Sequence, residues 1–360
     1  MVNKSKNSRQ ITFKHRAFIK IFKMKYTAGK ILTKNGFEKG YIGSERKKIV
    51  EVGKTNPPKK PVAKGLICPL FINAHTHIGD SFVRNKNITL PKKLEELVEP
   101  PEGLKFKLLK EASEEEIIDG MEESINTMEK TGTKHFYEFR EGGIKGICQL
   151  KTALSLWKTS ATILSRPEEL KYDKNEIDIL LNNSDGIGLS SISEWNYSEI
   201  QKIAKEVEKK NKIFAIHASE KAREDIDLIL DLKPSFLVHM IKATEQDLEV
   251  VNENSVPIVV CPRSNNFFGI KTDLELFEKS GVKVLIGTDN AMINSPSILD
   301  EIIFIKKKYN CYSVEDLLLM TTYSSRKALN HDSFILGPNS KAEFVVLDEK
   351  TLKPLYISVC

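Results

Sequence analysis

The chain has 360 residues, 40% of them hydrophobic and 29% charged, enough to bury roughly three quarters of the surface its unfolded form would expose. That excludes a disulfide-stapled mini-protein and a disordered tail, and no run nears the ~18 consecutive apolar residues that a membrane span needs. The net charge of +6 resides in residues 1–23, a basic arm with seven Lys or Arg and no acid, which leaves 48 basic against 49 acidic residues elsewhere. The body is near neutral and offers no charge argument for nucleic acid. Cys68, Cys148, Cys261, Cys311 and Cys360 are scattered, with no C-x-x-C pair, which fits a reducing, cytoplasmic setting rather than a disulfide framework or a structural zinc module. The arm has only short apolar runs and no small-residue cleavage site, so no secretory signal is expected.

Residues 24–68 read as short strands broken by turns, at 30–33, 40–43 and 48–52. No helical period runs through them, so a small β unit is expected. From Pro69 to about residue 330, strand-length apolar runs alternate with amphipathic segments, the pattern of βαβ units on a parallel sheet. The expected strands are 70–75, 133–139, 161–165, 185–190, 212–217, 235–239, 257–261 and 282–288. Between them, Ser113 to Glu116 has the form of a capping box ahead of Ile117, Met121, Ile125 and Met128. Ile200, Ile203, Ala204 and Val207 make one apolar helix face. Further helices fit 221–232, 245–252, 274–279, 297–307 and 313–329. Eight strand-helix units, with no G-x-G-x-x-G turn after the first strand, predict a closed (β/α)8 barrel over 69–330. Residues 331–360 become strand-like again around 341–348 and are expected to rejoin the β unit at 24–68.

Four of the seven histidines fall at the C-terminal ends of expected strands, where barrel enzymes build their sites. In His75-Thr76-His77 the two imidazoles are at i and i+2 of an extended segment, so both can reach one ion. His217 closes the fifth strand, His239 the sixth and Asp289 the eighth. Three His and one carboxylate suit zinc or iron, with a position left for water. His135 begins the second strand at the opposite end, and His15 and His331 lie outside the barrel; all three are expected to be structural or on the surface. Cys261 is expected in the core. Lys306-Lys307-Lys308 reads as a solvated face.

Five segments, Phe71-Ile-Asn-Ala-His-Thr-His77, His217-Ala-Ser-Glu220, Val238-His239, Cys261-Pro-Arg-Ser-Asn265 and Gly287-Thr-Asp289, resemble the amidohydrolase superfamily. The resemblance is to its cytosine-deaminase and triazine-hydrolase-like branch, which includes adenosylhomocysteine and methylthioadenosine deaminases, and extends from about Tyr26 to Asp348. It implies that both chain ends form a β-sandwich beside the barrel. It also implies that His75, His77, His217 and Asp289 bind the metal, while Glu220 and His239 act on substrate and water. Relatives with two metals use a carboxylated Lys on the fourth strand. Residues 185–190 contain none, so one divalent ion is expected, zinc or else iron.

The chemistry is consistent with those roles. Metal-bound water has its pKa lowered from about 16 toward 7, supplying hydroxide as a nucleophile at neutral pH. Asp289 and His239 are placed to accept its proton. Glu220, three residues after His217, can shuttle a proton to the ring nitrogen and the leaving group. Two segments depart from adenosylhomocysteine-type deaminases: the stretch 81–111 has no Trp, and the loop Glu138-Phe-Arg-Glu-Gly-Gly143 differs. That loop is expected to set specificity.

Only nine arginines stand against 46 lysines, yet Arg84, Arg140, Arg166 and Arg263 all closely follow barrel strands. Retaining Arg on a Lys-rich background suggests a need for planar, two-pronged donors. Arg140, Arg166 and Arg263, with Asn265, are therefore expected to bind substrate, including an anionic group on it. Together these features predict a distorted (β/α)8 barrel with a mononuclear metal-dependent hydrolase site, deaminating an aminated purine or pyrimidine derivative. The alternatives are hydrolysis of a cyclic amide or of another ring substituent, and a non-catalytic binding or assembly protein. The expected partner is a small-molecule substrate, with no nucleic acid and no membrane, and assembly into a homo-oligomer is compatible with this reading.

Overall fold

The computed structural model describes residues 24–332 and 334–360. The basic arm at 1–23, with His15, lies outside the described residues. Four strands come first: β1 (Lys25–Thr33), β2 (Gly36–Glu45), β3 (Lys48–Gly53) and β4 (Ala63–Pro69). Nine short parallel strands follow: β5 (Phe71–His77), β6 (Thr133–Arg140), β7 (Ser160–Ser165), β8 (Gly186–Leu189), β9 (Ile213–Ala218), β10 (Phe236–His239), β11 (Ile258–Val260), β12 (Val284–Ile286) and β13 (Asp289–Asn290). The chain ends with β14 (Phe344–Leu347) and β15 (Pro354–Ser358).

The two chain ends meet in one six-stranded mixed sheet, ordered β15-β14-β4-β1-β2-β3. Alternation of side chains gives each face its own packing. Ile31, Ile67, Phe344 and Val346 pack together on one side, while Leu66, Cys68, Val345 and Leu347 join the main core on the other. The second, facing sheet that a sandwich requires is not among the described elements.

The other sheet is ordered β12-β11-β10-β9-β8-β7-β6-β5-β13, parallel throughout. Its two edges, β12 and β13, are separated in the chain by Gly287 and Thr288 alone, and the Thr288 N–H donates to His75 O at 2.9 Å. The sheet therefore curls until its last strand meets its first. Gly287 permits that approach, because a Cβ there would lie 2.7 Å from His75 Cβ and 2.9 Å from His75 O. Inside the curl Ile72, Tyr137, Phe139, Leu164, Phe236 and Leu285 form one apolar cluster, and the outer face carries the helices. Among the described residues, no helix is long and apolar enough to cross a membrane.

The helices that bear on the site are α1 (Leu94–Leu97), α2 (Leu104–Glu111), α3 (Glu114–Lys130) and α4 (Gly143–Leu154). α3 begins with the expected capping box, Ser113 Oγ accepting from the Glu116 N–H while the Glu116 carboxylate accepts from the Ser113 N–H. Two helices differ from expectation for tertiary reasons. The expected helix at 221–232 shrinks to Ile226–Asp231, because the Glu224 carboxylate accepts backbone N–H groups from Ser219 and Ser193 and Asp225 caps the helix instead. The expected helix at 313–329 breaks into Val314–Met320 and Tyr323–Ala328, because Thr321 O accepts the Ile72 N–H of β5 at 2.8 Å.

Two stability predictions follow from this packing. Phe236→Ala opens a hole inside the curled sheet and should cost about 3–5 kcal/mol, read as a lower denaturant midpoint. A wild-type midpoint would show that the cluster does not carry the sheet. The second concerns Glu301, buried on the helix Ile298–Lys308, whose Oε1 accepts the Arg263 N–H at 2.7 Å. Burial pushes its carboxyl from 4.5 up to about 8, against the pull of Arg263. The folded chain thus keeps a proton that the unfolded chain has lost. This stabilisation is complete below 4.5 and disappears as pH rises through about 8. Glu301→Gln, neutral at every pH, should flatten the fall of the denaturation midpoint across that interval; an unaltered slope would contradict the assignment.

Candidate active site

Six side chains carried by four strands converge: His75 and His77 of β5, His217 of β9, Glu220 just beyond it, His239 of β10 and Asp289 of β13. One ligand atom from each of His75, His217, His239 and Asp289 lies within 4.8 Å of the others. His77 adjoins the group, its Nε2 being 3.4 Å from His217 Nε2 and 3.7 Å from Asp289 Oδ1. Two of these residues leave their strands in the left-handed region, His239 at φ 75° and Asp289 at φ 58°. Such backbone is uncommon outside glycine and persists where surrounding structure enforces it.

The hydrogen bonds fix the tautomers of two imidazoles. His217 Nδ1 lies 2.8 Å from Leu189 O, which can only accept, so the proton is on Nδ1 and Nε2 is bare. His77 Nδ1 faces Glu141 Oε1 at 2.9 Å. Burial alone would raise the Glu141 carboxyl, but Lys105 and His77 beside it bring it well below its usual range. Glu141 therefore accepts, and His77 Nε2 is bare as well. Two unprotonated nitrogens thus face each other across 3.4 Å, next to a carboxylate. Neither ring nitrogen of the buried His75 has a hydrogen bond, although Nε2 is 3.3 Å from Asp289 Oδ1. Lone pairs gathered in this way repel one another, and a divalent cation is the group that would relieve them.

Electrostatics keep the set in ligand form. Burial, with Lys105 nearby, lowers His77 from 6.5 to about 4. Burial and the neighbouring imidazoles hold His217 well below its usual value, and burial lowers His239 to about 3. Burial opposes ionisation of Asp289, but the surrounding histidines keep its carboxyl well below the usual range. Asn290 Nδ2 donates to Asp289 Oδ1 at 3.0 Å, and Ser264 Oγ donates to Oδ2. Glu220 goes the other way: burial, then Asp289 and Glu194, push it well above 4.5. A carboxyl shifted upward in this way keeps its proton to higher pH and is equipped to donate it. Glu220 Oε1 is 3.4 Å from His239 Nε2 and accepts from Asn265 Nδ2 at 3.4 Å. Asn265 is in turn held by Thr272 Oγ1 at 3.1 Å.

Glu138 holds the His-Thr-His segment from behind. Its carboxylate oxygens accept the N–H groups of Ile78 and Gly79, and Thr76 Oγ1 lies 2.6 Å away. His135 is buried in hydrogen bonds to Ser160 and Thr162, with His331 packed on it at 4.4 Å, far from the cluster. Cys261 is fully buried.

Two cavities meet over the cluster. A small one of about 80 Å³ is bounded by His77, His217, His239, Asp289 and Glu220. A larger one of about 700 Å³ runs beneath α2 and α4, and the two share Pro100, Phe106, Glu141 and Arg166. The arginines divide accordingly. Arg166 borders both cavities, is 8% exposed and stacks over Phe106 at 5.7 Å, and its guanidinium has no hydrogen bond or ion pair among the described residues. Arg140 borders the larger cavity, but its Nε and Nη2 are spent on Gly146 O at 3.0 Å and Gln149 Oε1 at 2.9 Å. Arg263 borders neither: its Nη1 donates to Ser295 O at 3.2 Å and lies 3.7 Å from Glu301. Position after a strand does not decide where an arginine points, and here the buried Glu301 turns Arg263 away. Arg84 is likewise turned to Ser124 at 3.1 Å. Lys105, Glu141 and Ser264 belong to the site yet carry no site expectation from sequence; Glu141 and Ser264 at least sit in segments singled out there.

Comparison with known proteins agrees with this geometry. The model of the amidohydrolase family matches residues 66–358. An uncharacterized protein of Methanocaldococcus jannaschii is 37% identical over 344 residues, covering 90% of this chain and 86% of its own. A 5-methylthioadenosine/S-adenosylhomocysteine deaminase of Caldicellulosiruptor saccharolyticus is 28% identical over 337 residues, covering 81% and 74%. Among solved structures, Helicobacter pylori aminofutalosine deaminase superposes with a TM-score of 0.69 at 16% identity, covering 90% of this chain and 92% of its own. With four imidazoles and a carboxylate gathered at the strand ends of a curled parallel sheet, and a family match over most of its length, the chain belongs to the amidohydrolase family.

Proposed function

We propose that the protein is a mononuclear metal-dependent deaminase of an aminated heterocycle, on a distorted (β/α)8 barrel, with zinc as the resident ion. The observation that carries this reading is the pair of bare Nε2 atoms of His77 and His217, 3.4 Å apart beside Asp289, with a protonation-poised Glu220 in the same small cavity. His75, His77, His217 and Asp289 would hold the ion, which supplies activation of water at neutral pH. His239 and Asp289 orient the attack and take up a proton. Glu220, steadied by Asn265, delivers a proton to the ring nitrogen and then to the departing amine. The burial of all these groups excludes competing water, which strengthens each electrostatic contact. The name of the Caldicellulosiruptor relative, a deaminase of adenine-bearing nucleosides, supports the reaction class.

The small cavity, about 80 Å³, is well below the several hundred Å³ that a whole ligand fills. The reacting ring atom belongs there, and the remainder of the substrate belongs in the 700 Å³ cavity. Arg166, buried without a partner where the two meet, would take an anionic group on that remainder, with Arg140 behind it.

Metal content and ammonia release on a panel of nucleobases, nucleosides and nucleotides test this reading. His75→Ala should lose the ion and the activity together. Glu220→Gln should keep the ion and lose about 2–4 orders of magnitude in kcat. Release of a ring-opened product without ammonia would favour cyclic-amide hydrolysis instead. Arg166→Lys keeps a charge but loses the two-pronged geometry. It should raise KM for an anionic substrate about tenfold while the ion is retained, and an unchanged KM would leave a neutral substrate as the better description.

A further inference from the structure

We propose that Lys105 is a positioning residue of the metal centre, acting through Glu141 on His77. Lys105 comes from α2, a surface helix by its sequence, yet it is 2% exposed. Its ammonium sits against three segments that leave three different strands. It donates to Glu141 Oε1 after β6 and to Asn290 Oδ1 of β13 at 3.1 Å, and it lies 3.6 Å from Asp80 Oδ2 after β5. An ammonium has three donors and no acceptor. Two of its donors are taken by Glu141 and Asn290 and the Asp80 carboxyl faces it at 3.6 Å, so the ammonium is directed into the scaffold, which makes it a positioning group rather than a catalytic one.

Its effect passes through Glu141. The oxygen that accepts from Lys105 is the one that accepts from His77 Nδ1. Two donors converging on Oε1 fix the carboxylate in place. The proton of His77 is thereby held on Nδ1, and Nε2 is aimed at His217 and Asp289. Asn290 gives a parallel reason for the pin: because Lys105 can only donate, Asn290 must present Oδ1 to it and turn Nδ2 toward Asp289. Groups that orient a liganding imidazole in this way usually matter 10–100-fold to metal affinity.

This inference rests on the metal reading above, and zinc binding to the purified protein, measured by chelator competition, separates the two. Absence of zinc binding in the wild type overturns the metal reading and this inference with it. If the wild type binds zinc, Glu141→Gln should bind it about 10–100-fold more weakly. Lys105→Met should fall in the same range, with the visible spectrum of bound cobalt(II) altered in the same sense. Lys86→Met, which breaks a surface pair with Glu116 on the same side of the fold, should change neither readout. Because Lys105→Met alone leaves Glu141 buried and uncompensated, the variant carrying both Lys105→Met and Glu141→Gln gives a second arm. With Glu141 already neutral, loss of Lys105 should weaken zinc by less than about threefold beyond Glu141→Gln. Wild-type zinc affinity in Lys105→Met, or a further tenfold loss in the double variant, would overturn the proposal.

Discussion

Two imidazole nitrogens with no proton between them, 3.4 Å apart in a water-poor cavity, are the arrangement that the rest of this structure serves. Left alone, His77 and His217 would each avoid it, one by rotating and the other by taking up a proton. Neither escape is open. Leu189 O, at the end of β8, holds the Nδ1 proton of His217, and Glu141, beyond β6, holds that of His77. Burial keeps both rings neutral. The cost is met by a scaffold that over-determines the site. Glu138 clamps the turn after His77, and the sheet closes so tightly at Gly287 that His75 cannot shift. His239 and Asp289 are held in left-handed backbone that neither would choose in isolation.

That scaffold was largely legible in the sequence, for a physical reason. Strands covered on both faces read as unbroken apolar runs. Val259, Leu285 and Ile286, for example, are fully buried on short strands at the expected places. Helices failed where tertiary hydrogen bonds took over from local pattern. The apolar period from 313 to 329 is continuous, yet the chain breaks at Thr321 because a strand on the other side of the sequence needs that carbonyl. No propensity at Thr321 announces this. The pairing of β14 between β4 and β15 is similarly non-local. A strand-like tail points to the N-terminal β unit, but whether the pieces make one sheet or two facing ones depends on pairing that alternation alone does not encode.

The convergence of the cluster was legible because its members lie at or near strand ends, and parallel strands deliver their ends to one side. The supporting residues were not. Lys105 lies in Leu-Lys-Phe-Lys-Leu-Leu-Lys, where every lysine reads as solvated helix surface, and only the fold shows that one of them is turned inward. Arg263 is the converse case. It follows β11 after Cys261 and Pro262, as Arg166 directly follows β7, but the buried carboxyl of Glu301 holds it. For a charged side chain, sequence gives the place of the backbone, whereas its direction is set by whichever buried acceptor lies within reach.

The same division runs through the site as a whole. The residues that carry the resemblance to amidohydrolases, from His75 to Asp289, sit at or beside strand ends where the backbone is held by neighbours on both sides. The two stretches that depart from adenosylhomocysteine-type deaminases, 81–111 and 138–143, supply much of the border of the larger cavity, including Pro101, Phe106, Leu109, Arg140 and Gly142. They meet each other against the cluster where Lys105 of the first stretch binds Glu141 of the second beside His77. A covering segment that is tied directly to His77, a proposed metal ligand, cannot vary freely. A change that reshapes the cavity through α2 must leave Lys105 in register with Glu141, or it disturbs the imidazole below. The buried ion pair of Lys105 and Glu141, with the Glu138 clamp on the turn after His77, thus constrains how far these loops can diverge while the cluster stays intact.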